Sequence, residues 1–247
     1  MSRIVRNIIV IVGAVVVTAC LAVSYVAGVS LRKPLTCKGL NITITDSDCN
    51  SFVSKEDVTK YLDEEYGEYI DISLDSLDLD RVERILKEKS AISTTEAYVT
   101  KDGMLNIKVT QRKPAVRFQG TSGGYYADAE GRTFPLQKSY ASHVPVVDGN
   151  IPKMTDTLMV VQTTALVNFL ENSPVWKGKF VQIRIDGKGD IILVPRKGQE
   201  RFIIGQPYGI KEKAEKMEMY YTHIIPAKGS GHYKTIDLRF DSQIVCR

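Results

Sequence analysis

The stretch EAYVTKDGMLNIKV, residues 96–109, decides the fold of the first half of the chain. Its two ends alternate apolar and polar residues, and the Asp102-Gly103 pair between them is typical of a tight turn. The stretch therefore predicts a β-hairpin. Residues 40–45 alternate in the same way, so they predict an earlier strand that can join the hairpin in one sheet.

Two helices are predicted between that strand and the hairpin. Ser54 and Asp57 have the spacing of a capping box, which marks the start of the first helix. Asp78 or Asp80 can cap the second helix. The order strand, helix, helix, strand, strand predicts a small α+β module over residues 40–112.

A longer module is predicted over residues 113–247, because Pro114 lacks an N–H group and ends the hairpin strand. Its predicted elements are a hairpin over residues 125–134, a helix over 158–169, a hairpin turning at 186–189, a helix over 210–224 and a closing strand over 236–240. Glu212 stands four residues before Lys216 and predicts an ion pair on the last helix. These elements predict a mixed β-sheet with helices, so the fold class of the whole chain is α+β.

Residues 8–29 are uncharged and mostly Ile, Val, Ala and Leu. A helix of this length spans roughly 33 Å, enough for a bilayer core of about 30 Å, so a transmembrane helix is predicted here. A cleaved signal peptide ending near Cys20 is the alternative, but the apolar run continues past that residue. Residues 1–7 are then a short tail and residues 30–39 a linker. Basic residues flank the run on both sides, so charge does not decide its orientation.

The charge balance argues against a nucleic-acid partner. The chain has 33 basic and 29 acidic residues, and five of the basic residues lie within the first 45 positions. The rest of the chain is close to neutral, whereas nucleic-acid binders carry their excess positive charge on the folded part.

The sequence contains no arrangement that is typical of catalysis or of metal or cofactor binding. Its 3 histidines lie outside any metal-binding spacing. Residues 46–50 resemble the start of a calcium loop, but Ser51 stands where the loop needs Gly and Asp57 where it needs Glu. We therefore predict a binding protein that is not an enzyme and that needs no cofactor or metal.

Cysteine usage leaves the redox compartment open. Cys37 and Cys49 can form a disulfide bridge in an oxidising compartment. The odd number of cysteines after the apolar run predicts free thiols equally well.

The closing strand over residues 236–240 is the best candidate for a binding element. A strand near the chain end often lies at a sheet edge, where its unpaired backbone groups can pair with a partner strand. An interior strand that is paired on both sides is the alternative that the pattern leaves open.

The order of these parts resembles the FtsQ/DivIB family of bacterial cell-division proteins. The small module looks like the family's POTRA domain, and the longer module looks like the family's second, β-rich domain. The stretches that carry the resemblance are residues 52–58, 105–115, 126–134, 144–149 and 236–240.

The resemblance implies a non-enzymatic scaffold of the divisome, anchored in the inner membrane at the division septum. Its N-terminus would be cytoplasmic and its domains periplasmic, in a single-pass type II topology. The POTRA domain and the transmembrane helix would contact the lipid bilayer and other divisome membrane proteins. The second domain would bind FtsB and FtsL through its C-terminal edge strand and so help to regulate septal peptidoglycan synthesis.

The resemblance also implies the partner-binding residues. They are Asp237, Arg239, Phe240, Ser242 and Ile244. Arg239 takes the place of the family's arginine that pairs with a partner carboxylate, Phe240 that of an aromatic residue and Ser242 that of a contacting serine. Phe240 lacks the hydroxyl of the tyrosine that is usual there.

Two other functions are alternatives to the scaffold. A POTRA-bearing component of an outer-membrane export system would carry several POTRA units in series, and the sequence predicts one. An anchored cell-wall enzyme would require a catalytic constellation, which the sequence does not provide.

Overall fold

The chain folds into a mixed α+β structure with one small sheet and one large sheet, as predicted. The computed structural model describes residues 3–30, 35–47, 51–137 and 140–247, and within the first range the side chains of residues 11–26. The elements, in chain order, are α1 (Arg3–Ser30), β1 (Gly39–Ile44), α2 (Lys55–Glu65), α3 (Leu79–Glu88), β2 (Ile92–Val99), β3 (Met104–Gln111), β4 (Val116–Gly120), β5 (Gly123–Ala127), β6 (Thr133–Pro135), β7 (Val146–Gly149), α4 (Thr157–Asn172), β8 (Phe180–Ile185), β9 (Ile191–Pro195), β10 (Arg201–Gly205), α5 (Ile210–Met219), α6 (Ile225–Lys228), β11 (Thr235–Asp237) and β12 (Val245–Cys246).

The predicted membrane segment, residues 8–29, falls within α1. Over the part of the chain that the structure describes, no helix combines the length and the apolar character needed to cross a bilayer. The side chains of residues 8–10 and 27–29 lie outside the described residues. The transmembrane helix therefore stays a prediction.

The small sheet has the strand order β1-β3-β2, with β1 parallel and β2 antiparallel to β3. The predicted capping box starts α2, because the Ser54 hydroxyl accepts from the Asp57 N–H and the Asp57 carboxylate accepts from the Ser54 N–H. Of the two candidate caps for α3, Asp78 fills the role and accepts from the Arg81 N–H at 2.9 Å. The predicted order of this module is confirmed.

Residues 35–37 pack onto the small module, although they fall within the predicted linker. The Cys37 N–H donates to the Ile72 carbonyl at 2.8 Å, and the Cys37 carbonyl accepts from the Asp71 N–H at 2.7 Å. Cys37 is completely buried and its thiol is free. Cys49, the other half of the predicted bridge, lies outside the described residues.

The large sheet has the strand order β12-β11-β10-β9-β8-β7-β4-β5-β6. β4, β7 and β8 run parallel to one another, as do β10 and β11, and the other neighbours are antiparallel. Side chains from α4 and α5 pack with the sheet into one core, which includes Phe118, Val147, Leu166, Trp176, Ile183, Phe202, Met217 and Leu238. The predicted helix over 158–169 and the hairpin turning at 186–189 are confirmed as α4 and as the β8–β9 turn.

The predicted helix over residues 210–224 is α-helical only as far as Met219, and continues as a π-helix over Tyr220–Ile224. Tyr220 and Tyr221 both contact the Phe202 ring, with centroid distances of 5.5 and 5.7 Å. A π-helix turns less per residue than an α-helix, so two successive side chains can face the same part of the core. The apolar positions in the sequence predict one regular α-helix, so they could not predict the change to a π-helix.

The two domains meet at a junction of aromatic rings. The Phe52 ring of the small module lies 5.4 Å from Tyr126, 5.3 Å from Phe134 and 4.9 Å from Tyr140, all edge-to-face. The Gln111 side-chain carbonyl accepts from the Phe52 and Val53 N–H groups at 2.7 and 2.8 Å. The β5–β6 end of the large sheet is therefore fixed to the small module.

An ion pair closes the same junction. Arg112, just after β3, donates to the Asp128 carboxylate at 3.0 Å, and both side chains are largely buried. A buried pair of this kind is strongly destabilising when one partner is removed, since the other charge is left without compensation.

Candidate functional site

The closing strand of the sequence prediction is shorter than expected and does not form the sheet edge. β11 ends at Asp237, where residues 236–240 were predicted as one strand. It pairs with β10 on one side and with β12 on the other. The chain turns after Leu238 because the Arg239 N–H donates to the Asp237 carboxylate at 3.2 Å, within its own segment. The edge of the sheet is β12, a strand of two residues.

The hydrogen bonds to β11 decide which backbone groups of β12 are free. Arg247 and Thr235 exchange two hydrogen bonds. The Arg247 N–H donates to the Thr235 carbonyl at 2.9 Å, and the Thr235 N–H donates to the Arg247 carbonyl at 3.0 Å. In an antiparallel pair such exchanges alternate along the strand, so the N–H and C=O of Cys246 point away from β11. Among the described residues they have no hydrogen-bond partner.

The side chains of the edge alternate as in a half-buried strand. Ile244 and Cys246 pack against the core of the large domain, while Val245 lies on the other side of the sheet. Burial raises the pKa of the Cys246 thiol. The edge therefore presents free backbone groups beside a half-buried thiol.

Arg239 is held by two carboxylates of its own chain. Its Nε donates to Asp237 at 2.9 Å, a terminal nitrogen donates to the second Asp237 oxygen at 2.6 Å, and the other terminal nitrogen donates to Asp190 at 2.9 Å. These hydrogen bonds to Arg239 hold the pKa of Asp237 below its ordinary value, and hydrogen bonding to Asp237 raises the pKa of Arg239. We call Arg239, Asp237 and Asp190 the arginine knot.

Gly205 makes room for the knot. It has a φ of +73°, and a Cβ placed there would lie 2.6 Å from the Arg239 Cγ. Both its backbone conformation and the close approach of the Arg239 stem require glycine. The end of β10 is thereby shaped to receive a side chain from the turn after β11.

The remaining predicted residues follow in the same hairpin. The Phe240 side chain is 42% exposed, and its carbonyl accepts from the Lys216 ammonium at 2.6 Å. This contact replaces the predicted ion pair of Lys216 with Glu212, which does not form because the Lys216 side chain reaches the hairpin instead. Ser242 is exposed in the turn that leads to β12, just before Ile244.

The structure thus brings the five predicted residues into one hairpin between β11 and β12. The prediction missed Asp190, Gly205, Lys216 and Cys246. The Asp-Gly turn at residues 186–189 predicts a hairpin, but no local pattern in the sequence predicts that Asp190 lies beside Arg239. Among the described residues, no three His, Cys, Asp or Glu side chains come together as metal ligands.

A small strand-helix-helix-strand-strand domain, fixed to a larger mixed sheet that ends in the short strand β12, defines a POTRA-bearing protein with a second, β-rich domain. Residues 35–110 match the family model of the POTRA-like domain, and residues 113–247 match the model described as FtsQ/DivIB, C-terminal related. Since the second match covers more than half of the chain, the chain belongs to the FtsQ/DivIB family. No curated protein matches it. Members of this family are generally non-enzymatic scaffolds of cell division, associated with the membrane at the septum.

Proposed function

We propose that this protein is a divisome scaffold that binds FtsB and FtsL by strand addition along β12. The observation that carries the proposal is the outward-facing N–H and C=O of Cys246, next to the end of the nine-stranded sheet. A partner strand would satisfy these groups and extend the sheet by one strand. The bound pair would then help to regulate septal peptidoglycan synthesis.

The predicted partner-binding residues have two different roles in this proposal. Phe240, Ser242 and Ile244 lie beside the edge and contact the partner. Asp237 and Arg239 mainly hold the hairpin in place, because three of the five N–H donors of Arg239 are used within the chain. Arg239 is still 41% exposed, so its two remaining donors can reach a partner carboxylate.

The setting of the scaffold is part of the proposal. The chain would have a cytoplasmic tail over residues 1–7, a transmembrane helix over 8–29 and a linker over 30–39. Its domains, over 40–112 and 113–247, would lie in the periplasm at the septum. The POTRA domain and the helix would contact other divisome membrane proteins and the bilayer.

The substitution Cys246→Pro tests strand addition at this edge. Proline removes the outward N–H and leaves the hydrogen bonds between β11 and β12 intact, because those are made by Val245 and Arg247. The matched control, Cys246→Ala, removes the thiol and keeps the N–H. The full chain in neutral detergent micelles is titrated with the extracytoplasmic segments of the host's FtsB and FtsL.

We expect Cys246→Pro to weaken binding about tenfold or more, since a lost main-chain hydrogen bond costs about 1–2 kcal/mol. Cys246→Ala should bind like the wild type. Amide exchange at Thr235 and Arg247 reports whether the β11–β12 pair survives in both variants. Equal affinity of all three proteins, with that pair intact, would place the partner elsewhere.

A further inference from the structure

Six cations line one end of the large sheet, which we call the basic rim. They stand where β8, β10 and β11 begin and where β9 and β12 end, and these ends coincide because of the observed strand pairing. The members of the basic rim are Lys179, Arg196, Lys197, Arg201, Lys234 and Arg247. With about 4.8 Å between neighbouring strands, the rim extends over roughly 19 Å.

Backbone hydrogen bonds hold neighbouring members of the rim together. The Arg196 N–H donates to the Lys179 carbonyl at 2.7 Å, the Arg201 N–H to the Lys234 carbonyl at 2.9 Å, and the Lys234 N–H to the Arg247 carbonyl at 2.8 Å. The positions of these cations are therefore set by the sheet and not by a mobile loop.

The side chains of the rim are not paired with carboxylates in the part of the chain that the structure describes. None of its six side chains forms a salt bridge there, and all six residues are exposed. Glu200 is the one acidic residue in the turn between β9 and β10, and it is 1% exposed with its carboxylate accepting from the Tyr221 hydroxyl. Six like charges this close together repel one another, and an anionic group bound beside them would relieve this repulsion.

A cavity of about 370 Å³ opens between the turns at the β8 and β9 end of the rim. Lys179, Arg196 and Lys197 surround it, and Tyr221 and Pro195 provide a less polar floor. The Lys179 ammonium lies over the Trp176 ring at 5.4 Å. The cavity is concave and larger than a single side chain, so an acidic side chain on a short apolar stem can enter it, whereas the flat surface of a bilayer cannot.

We propose that the basic rim binds an acidic segment of a partner polypeptide. The inference rests on the proposed function for the position of that segment: Arg247 directly follows β12, so a strand added at β12 would continue onto the rim. About six residues of extended chain would cover its length. The acidic segment would accelerate association and fix the direction of the added strand.

The first test uses poly-L-glutamate, which probes the rim without the natural partner. Trp176 is the only tryptophan of the chain, so its fluorescence reports on the ammonium above it. The wild-type full chain in neutral micelles should show a saturable, salt-sensitive change. The triple variant Arg196→Gln/Lys197→Gln/Arg201→Gln, which keeps the Lys179 reporter, should lose it, whereas the control Lys55→Gln/Lys60→Gln/Lys108→Gln, with the same charge removed from the small module, should keep it.

The second test separates the rim from the edge. With the FtsB and FtsL segments at low salt, the triple rim variant should associate about three- to tenfold more slowly than the control. Cys246→Pro should bind the partner about tenfold or more weakly but keep the poly-L-glutamate response, so failure of strand addition and failure of the rim are distinguishable. No response to poly-L-glutamate, or an equal response in the rim variant, overturns the inference. A change in Trp176 fluorescence caused by phosphatidylglycerol in the micelles, but not by poly-L-glutamate, also overturns the inference. The rim would then be a membrane contact.

Discussion

Removing the Phe52 ring should uncouple the two domains at their junction. Phe52 belongs to the small module and is 2% exposed, yet all three of its ring contacts are with residues after β4. Truncation of a buried phenylalanine to alanine costs about 3–5 kcal/mol. Each edge-to-face pair contributes about 0.5–1.5 kcal/mol beyond burial, so roughly 2–4 kcal/mol of the loss lies across the junction.

Hydrogen exchange at β5 and β6 measures this coupling. These strands pair through Tyr126 and Phe134, which are also the rings that Phe52 contacts. If about 2 kcal/mol of their protection depends on Phe52, their amides should exchange about thirtyfold faster in Phe52→Ala, under conditions where reclosing is fast relative to chemical exchange.

Leu62→Ala is the matched control. Leu62 is completely buried in the small module and its truncation costs a similar 2–5 kcal/mol, but it has no ring to place against the large sheet. It should speed amide exchange in α2 and leave the exchange rates of the β5–β6 amides nearly unchanged. Equal exchange of those amides in the two variants would refute the idea that Phe52 couples the domains.

Three further outcomes follow from single sites. Gly205→Ala should lower the free energy of unfolding by about 1–3 kcal/mol more than Gly178→Ala in urea titrations, because both glycines have positive φ but only a Cβ at Gly205 collides with Arg239. The pKa of Asp237 is lowered on folding, so its carboxylate stabilises the native state above the unfolded pKa and this contribution is lost as pH falls through the folded value. Asp237→Asn should therefore flatten the loss of stability below about pH 4 in acid titrations followed by circular dichroism. Gln111→Leu should cost about 2–4 kcal/mol in the same urea titration by leaving two buried N–H groups without their acceptor, and Gln111→Glu should cost at least as much because it places a second carboxylate beside Asp46, which accepts from the Gln111 amide at 3.3 Å.

Local signals predicted the small module well. The capping box of Ser54 and Asp57 and the Asp-Gly turn between β2 and β3 each depend on residues within a few positions of one another. When interacting residues are this close in sequence, their spacing in the sequence is enough to predict the contact in the structure. The three-residue spacing and the alternation were therefore sufficient to place α2, β2 and β3.

The candidate binding edge depends on contacts that are distant in sequence. The alternation over 236–240 is genuine, but Arg239 is drawn out of the strand by Asp237 beside it and by Asp190, far back along the chain. Likewise β12 is too short to be predicted as a strand, and only its register with Ile236 and Asp237 makes it the edge. Pairing between residues this far apart in the chain produces no periodic pattern in a single sequence, so it could not be predicted.

The two ends of the large sheet differ in a way that fits the proposed scaffold role. At the β6 end, aromatic rings and the Arg112–Asp128 ion pair fix the sheet to the small module. At the β12 end, the outward N–H and C=O of Cys246 lie at the sheet edge where the proposed partner strand would add. Nine strands at about 4.8 Å place these ends roughly 38 Å apart, so a partner strand can add at one end without disturbing the other. The rigid sheet between them would keep any bound partner at a fixed distance and direction from the small module, and this is the property that a scaffold requires.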